Sequence, residues 1–444
     1  MALSAITFGQ LASSFGIQWY TVTQLGAGAE TDGLYAALTL PQIVMVILVD
    51  PLGFVLTPLL SIKNERERRI VGAQIVWLIA GCSLLITLLA VIVAPLTVPL
   101  LAPGFSESTV QLTVDLARIQ ATAIVGAACT MALSSLYHAG QNFLWPAASM
   151  LICSLVGWVI LIVGIRSGGV TLAAWVQVIT FVGPLFFLAS PVAWWPWGEH
   201  GCLRGFLSEV WRQSKPLMVS ASYCRTGFMV DRLLTSLLAP GSIVILELAS
   251  RVHFAIVRIL NQGVTTPIVP VLASLSNHGN WPVFRARYWD RLIWIVLVSF
   301  GMVLGLATVA ILGPYFYHAG GEHSMMGTLR WEDLNKLTVA LVIGSGVLMF
   351  GSINHLAMSA FYAQGDTRTP MRIQVLAHSL GIILKACGFF LGGLYGIMAA
   401  MSVAYGIEAA VLSVALNRRL SLRLRVDQQA PLELSTAGAP PRSP

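Results

Sequence analysis

Apolar runs long enough to cross a bilayer recur along almost the whole chain, and they limit what it can fold into. They cover roughly 3–24, 31–60, 70–101, 112–137, 143–165, 168–195, 214–238, 243–273, 289–314, 337–363, 370–391 and 394–416. A span needs about 20 predominantly apolar residues. Backbone groups in lipid must be satisfied within the segment, so runs of this length must be helices. Only 10% of the residues are charged, against about 25% in a soluble domain. The chain reads as an all-α polytopic membrane protein of about twelve transmembrane helices. Met1-Ala2-Leu3-Ser4 lacks the basic stretch of a signal peptide, so the first run is expected to be a retained helix. Pro41, Pro51 and Pro58 predict that the second span is broken.

Loop charges set the orientation. Sixteen Lys and Arg fall in one set of alternate loops and at the C-terminal end, around Lys63–Arg69, Arg204–Lys215, Arg285–Arg291, Arg368–Arg372 and Arg418–Arg425. The opposite loops hold three: Arg166, Arg330 and Lys336. Basic residues stay on the cytoplasmic side, so both termini are expected there. Trp194, Trp195 and Trp197 read as an interfacial anchor.

A short repeat supports a two-lobed architecture. Leu136-Tyr137-His138-Ala139-Gly140-Gln141 leads to Pro146, and Phe361-Tyr362-Ala363-Gln364-Gly365-Asp366 leads to Pro370. The copies lie six spans apart, an even number, so the halves run in the same direction with a site expected at their interface. Lobes of six helices are therefore expected over 1–205 and 206–420, followed by a disordered cytoplasmic tail over 421–444. The 318–336 loop has room for a short surface helix.

The seventh and eighth spans carry more charge than lipid-facing helices tolerate. Arg225, Asp231 and Arg232 lie on one, and Glu247, Arg251 and Arg258 on the other. Each such charge costs at least about 2.5–3.5 kcal/mol at the bilayer centre, so it should face a partner or a wet cavity. Glu247, Arg251, Arg258 and Gln262 are spaced four, seven and four apart, which keeps them on one helical face. A cationic stripe in a membrane suggests a path for an anionic cargo. The plainer alternatives are an Arg251–Glu247 bridge one turn apart, an Arg258 that snorkels to the headgroups, and an Asp231/Arg232 packing or gating pair. Asp115 and Arg118 suggest a local ion pair. Glu408 stands alone in the last span, and His253, His355 and His378 read as helix-interface residues.

Other function classes find little footing. There is no phosphate-cradling Gly-Lys-Ser/Thr loop and no His-Glu-x-x-His metal motif, so no enzyme, cofactor or metal is implied. The six cysteines are scattered without metal or disulfide spacing. The net charge of +7 does not imply nucleic acid, because it resides in short loops.

A family resemblance emerges from several motifs. Val230-Asp231-Arg232-Leu233, Gly241-Ser242, Ala249-Ser250-Arg251-Val252, Pro267, Pro270 and Phe284-Arg285 resemble the lipid II flippase family, MurJ or MviN. So do Ala360–Pro370, Gly26–Asp32 followed by Leu40-Pro41-Gln42, and Leu101–Phe105. The resemblance covers about residues 3 to 418. It implies a transporter of the multidrug/oligosaccharidyl-lipid/polysaccharide exporter superfamily, to which the MATE transporters also belong. Two lobes would alternate between inward-open and outward-open states. The cargo would be an undecaprenyl-pyrophosphate-linked saccharide within the membrane lipids. Arginine's planar donor fork suits phosphate oxygens. Arg251 matches the family's cavity arginine in its eighth helix, with Arg225 and Arg258 as further contacts, and Asp32 and Asp50 match its acidic positions. The chain departs from the family where Leu11 and Ile17 replace arginines, where Met45 and Val46 replace a basic pair, and where the last two helices are missing. A sodium site at the position of Asp231 would face Gly381 and Lys385, so an Asp231–Lys385 pair without sodium dependence is expected. The rival readings are an exporter of another lipid-linked polysaccharide, a drug/cation antiporter whose cavity would need acids, and a non-transporting envelope scaffold.

Overall fold

The computed structural model describes residues 2–189, 203–319 and 330–437. Trp194, Trp195 and Trp197 lie outside these, as does most of the 318–336 loop. Among the described residues every regular element is helical. Helix α1 spans Ala2–Leu25, α2 Ala29–Ser61, α3 Glu65–Leu101 and α4 Glu107–Ala139. Helices α5 (144–168) and α6 (170–189) are separated at Gly169, whose φ of 53° and ψ of −145° break the helical path. Helix α7 spans Leu203–Ser236, α8 covers 242–277, α9 Trp281–Ala319 and α10 Trp331–Ala363. Gly393, at φ 54° and ψ −127°, separates α11 (368–391) from α12 (394–437). Only glycine adopts these two conformations at no steric cost, so the hairpins are fixed where the sequence supplies it.

Seven described stretches are long and apolar enough to cross a membrane, two of them being the Gly169 and Gly393 hairpins. Helices α1, α7 and α8 are not among them. The protein is a multi-pass membrane protein. Long apolar side chains elsewhere point outward, such as Leu85, Ile92 and Leu96 on α3, as a bilayer-facing surface requires.

The proline-bearing spans break in a specific way. In α2 the turn Met45–Val49 widens to π-helix immediately before Asp50-Pro51, and in α8 Asn261–Thr265 does so before Thr266-Pro267. A proline in a helix lacks an N–H and its ring collides with the carbonyl four residues back; one wide turn relieves both.

Local features recur six helices apart. Besides the π-turns of α2 and α8, positive φ occurs at Gly26 and Gly241, at Gln141 and Gly365, and at Gly169 and Gly393. Helix α4 is interrupted at Thr122 and α10 at Gly344.

By contacts the chain divides into two compact units: Met1–Leu248 with Tyr317–Leu334, and Ala249–Phe316 with Asn335–Pro444. This contact boundary falls inside α8, away from the expected lobe boundary at 205/206, because compactness and repeat periodicity are different properties. The first unit packs Ile17, Leu34, Leu116, Leu161 and Val176 together. Polar pairs reinforce it: Gln120 donates to Gln177 Oε1 at 2.9 Å, and the hydroxyls of Ser13 and Ser154 lie 2.7 Å apart. The second unit centres on Leu272, Phe284, Tyr288, Leu356, Phe361 and Leu412.

The C-terminal expectation needs correction. Helix α12 continues to Ala437, where a disordered tail from 421 is expected. The prolines that make the tail look structureless concentrate at Pro440, Pro441 and Pro444. Leu420–Gln429 is rich in straight-chain helix formers.

Candidate functional site

The charged groups of α2, α7 and α8 fall into three sets. The first is tied up within the protein. Asp32, only 3% exposed, accepts from the backbone N–H of Gly241 at 2.6 Å and of Val244 at 2.9 Å. These amides sit at the start of α8, where a helix leaves its N–H groups without internal partners and its dipole favours an anion. Glu247 pairs with the Arg232 guanidinium, both of them buried, and Arg232 also lies over the Phe228 ring at 4.9 Å. Asp32 and Glu247 are thus both partnered within the first unit. The sequence spacing suggests Arg251 as a partner of Glu247; within the first unit its partner is Arg232 of α7.

The second set is Asp50 and Arg225. Asp50 directly follows the π-turn of α2 and is exposed in mid-span. Arg225 on α7 is half-buried and close enough to act on the charge of Asp50. Asp231 is half-buried in the first unit, and Lys385 belongs to the second.

The third set is open. Helix α8 exposes Phe254, Arg258, Gln262 and Thr266, spaced four apart. With His355 and Ser359 of α10, also four apart, they line a cavity of about 630 Å³ within the second unit. Arg258 makes no ion pair or hydrogen bond with any described residue, and it is the sole charged side chain in the lining, which contains no acid. Arg251, two turns earlier on α8, is half-buried. Sequence spacing anticipates Arg258 and Gln262. His355 and Ser359 become recognisable only when α10 is seen packed beside α8. The expectation that His355 is an interface residue gives way to exposure on this cavity. His253, by contrast, is buried with Nε2 2.9 Å from the Leu341 carbonyl. Asp115 and Arg118 form their expected local pair at 3.3 Å.

The family model for the lipid II flippase MurJ matches residues 21–432. The chain belongs to the MurJ family. Among curated relatives, a "Probable lipid II flippase MurJ" of Thermotoga maritima is 23% identical over 86% of this chain and 77% of that protein. A namesake from Buchnera aphidicola is 22% identical over 90% of this chain and 80% of its own length. The fold matches a solved lipid II flippase MurJ in an inward closed conformation with a TM-score of 0.78 at 19% identity. That match covers 94% of this chain and 87% of the other. It also matches an inward-facing MATE multidrug transporter, with a TM-score of 0.73 at 13% identity over 94% of this chain and 99% of the other. This MurJ-family chain thus has the fold shared by MurJ and MATE transporters.

Proposed function

We propose that this protein is a flippase that carries an undecaprenyl-pyrophosphate-linked saccharide, a lipid II-like peptidoglycan precursor, across the inner membrane by alternating access. The observation that carries the reading is Arg258: a guanidinium in a membrane-spanning helix, free of any described partner and open to an acid-free cavity. A cation in that setting is costly unless an anion visits it. Headgroup contact is assigned to Arg251, Arg225 and Arg258, with Asp50 holding Arg225 in place. Both termini are assigned to the cytoplasm and the six-helix lobes to 1–205 and 206–420. The features that recur six helices apart support that division. Asp231 and Lys385 are assigned as a fixed pair that makes transport independent of sodium; sodium stimulation, or an inert Lys385→Ala, would overturn that assignment.

The test is complementation in cells depleted of their resident flippase. Survival is expected, and Arg251→Ala should abolish it while leaving the protein level unchanged. Failure to rescue with normal membrane insertion would favour another polysaccharide cargo or an envelope scaffold. The near-complete overlap with a MATE chain favours a second reading, a drug/cation antiporter. Its cationic cargo calls for acids, and the α8–α10 cavity has none in its lining.

A further inference from the structure

Four side chains around the α8–α10 cavity have no hydrogen-bond partner among the described residues: Arg258, Gln262, His355 and Ser359. A serine in a helix ordinarily returns its hydroxyl to the carbonyl four residues back, as Ser352 does to Leu348 at 3.1 Å. Ser359 makes no such bond. Four polar groups from two helices converge on one volume with their bonding capacity unspent. Phe254, one turn before Arg258 on the same face of α8 and 44% exposed, adds a flat apolar surface to the lining.

This combination defines a ligand class. A volume of about 630 Å³ lies within the roughly 300–1,000 Å³ of small-molecule sites. One arginine with no acid nearby calls for a single anionic group, which the guanidinium fork can hold through two oxygens. An amide, an imidazole and a hydroxyl can each both donate and accept, which suits hydroxyl groups. An aromatic face suits the C–H face of a pyranose ring. A lipid tail would leave all four polar groups unpaired in a dry site, at a cost for each.

We propose that this cavity is the glycosyl-phosphate subsite of the transporter. Arg258 holds a phosphate oxygen, Gln262, His355 and Ser359 bond the hydroxyl groups of the adjoining sugar, and Phe254 covers its ring. The assignment rests on the flippase reading above, and it adds two residues of α10 that select the sugar rather than the phosphate.

The experiment measures binding to the purified full-length protein in nanodiscs with three probes: N-acetylglucosamine 1-phosphate, inorganic phosphate and undecaprenyl phosphate. The parent should bind the glycosyl phosphate at least tenfold more tightly than inorganic phosphate. Ser359→Val and His355→Leu should each erase most of that preference while phosphate binding stays unchanged. His355→Asn, which keeps a donor and an acceptor, should restore part of it. Arg258→Gln should weaken all three probes. Equal affinity of the parent for the two soluble phosphates, or an unaltered preference in the α10 variants, overturns the subsite. So does undecaprenyl phosphate binding that strengthens in Gln262→Leu, the result expected of a lipid-tail cavity. Variants are compared at matched thermal stability, so misfolding is scored separately. Rescue of depleted cells alongside unaltered sugar preference would reject the subsite and leave the flippase reading intact. Failed rescue with a Ser359-dependent sugar preference would do the reverse.

Discussion

The start of α8 and its middle contrast sharply in how their polar groups are used. At the start, the protein answers each charge that bears on the helix: Asp32 takes two amide protons, and Glu247 takes Arg232. Around the middle, Arg258, Gln262, His355 and Ser359 face a cavity with no described partner. Desolvation physics is the same in both places, so the contrast is between bonding capacity that is spent and bonding capacity that is not. Satisfied charge fixes the helix end, and the flippase reading proposed above gives the open groups their role.

The largest effect that could break this contrast comes from the buried pair. Leaving one partner of such a pair uncompensated costs about 3–5 kcal/mol, so Glu247→Ala should sharply lower thermal unfolding temperature and folded yield. An apolar double substitution, Arg232→Met with Glu247→Leu, should recover most of that stability, since replacing a whole buried pair is close to neutral. If Glu247→Ala matched the parent, the start of α8 would not be the closed region described.

Next comes Asp32→Ala, which strips two buried amides of their acceptor. Each unpaired group costs about 1–3 kcal/mol, and the loss should appear as faster hydrogen exchange at Gly241 and Val244. Asp32→Asn should fall between parent and alanine.

A smaller effect is expected at the α10–α11 turn. Asp366 accepts from the amides of Arg368 and Thr369 and from the Thr369 hydroxyl, and it pairs with Arg419 of α12. Partial burial raises its pKa, but these partners outweigh that and hold the carboxyl down at about 2, against an ordinary 3.8. A depressed carboxylate stabilises the folded state fully above its unfolded pKa. Its contribution therefore exists above about pH 4 and is lost as pH falls through about 2. Asp366→Asn should flatten the acid limb of a stability–pH curve and cost at most about 1 kcal/mol at neutral pH, since the pair is near the surface.

The smallest stability effect sharpens the contrast most. Arg258→Gln should change unfolding stability by no more than about 0.5 kcal/mol, as expected for a side chain without structural partners, and yet abolish complementation. A large stability loss there would mean that Arg258 is structural after all.

Much of this was legible beforehand. The all-helical class follows from the recurring apolar runs, and the breaks from Gly and Pro, which act through local sterics. The pair Asp115–Arg118 was readable because three residues is one helical turn. Spacing offers Glu247 only a partner on its own helix, and it gives no sign of Arg232 on α7, fifteen residues earlier. Asp32 gave no local signal, since the amides it caps lie more than 200 residues further along the chain.

By itself the sequence determined the class of molecule, because lipid solvation tests every segment independently through its own hydropathy and backbone hydrogen bonds. It also determined the hinges, since positive φ at Gly169 and Gly393 and the wide turns before Pro51 and Pro267 are local demands. Only the tertiary structure decided which charges are spent and which remain available. That depends on which side chains meet across helices, and helical periodicity reports a residue's direction without naming the neighbour it meets.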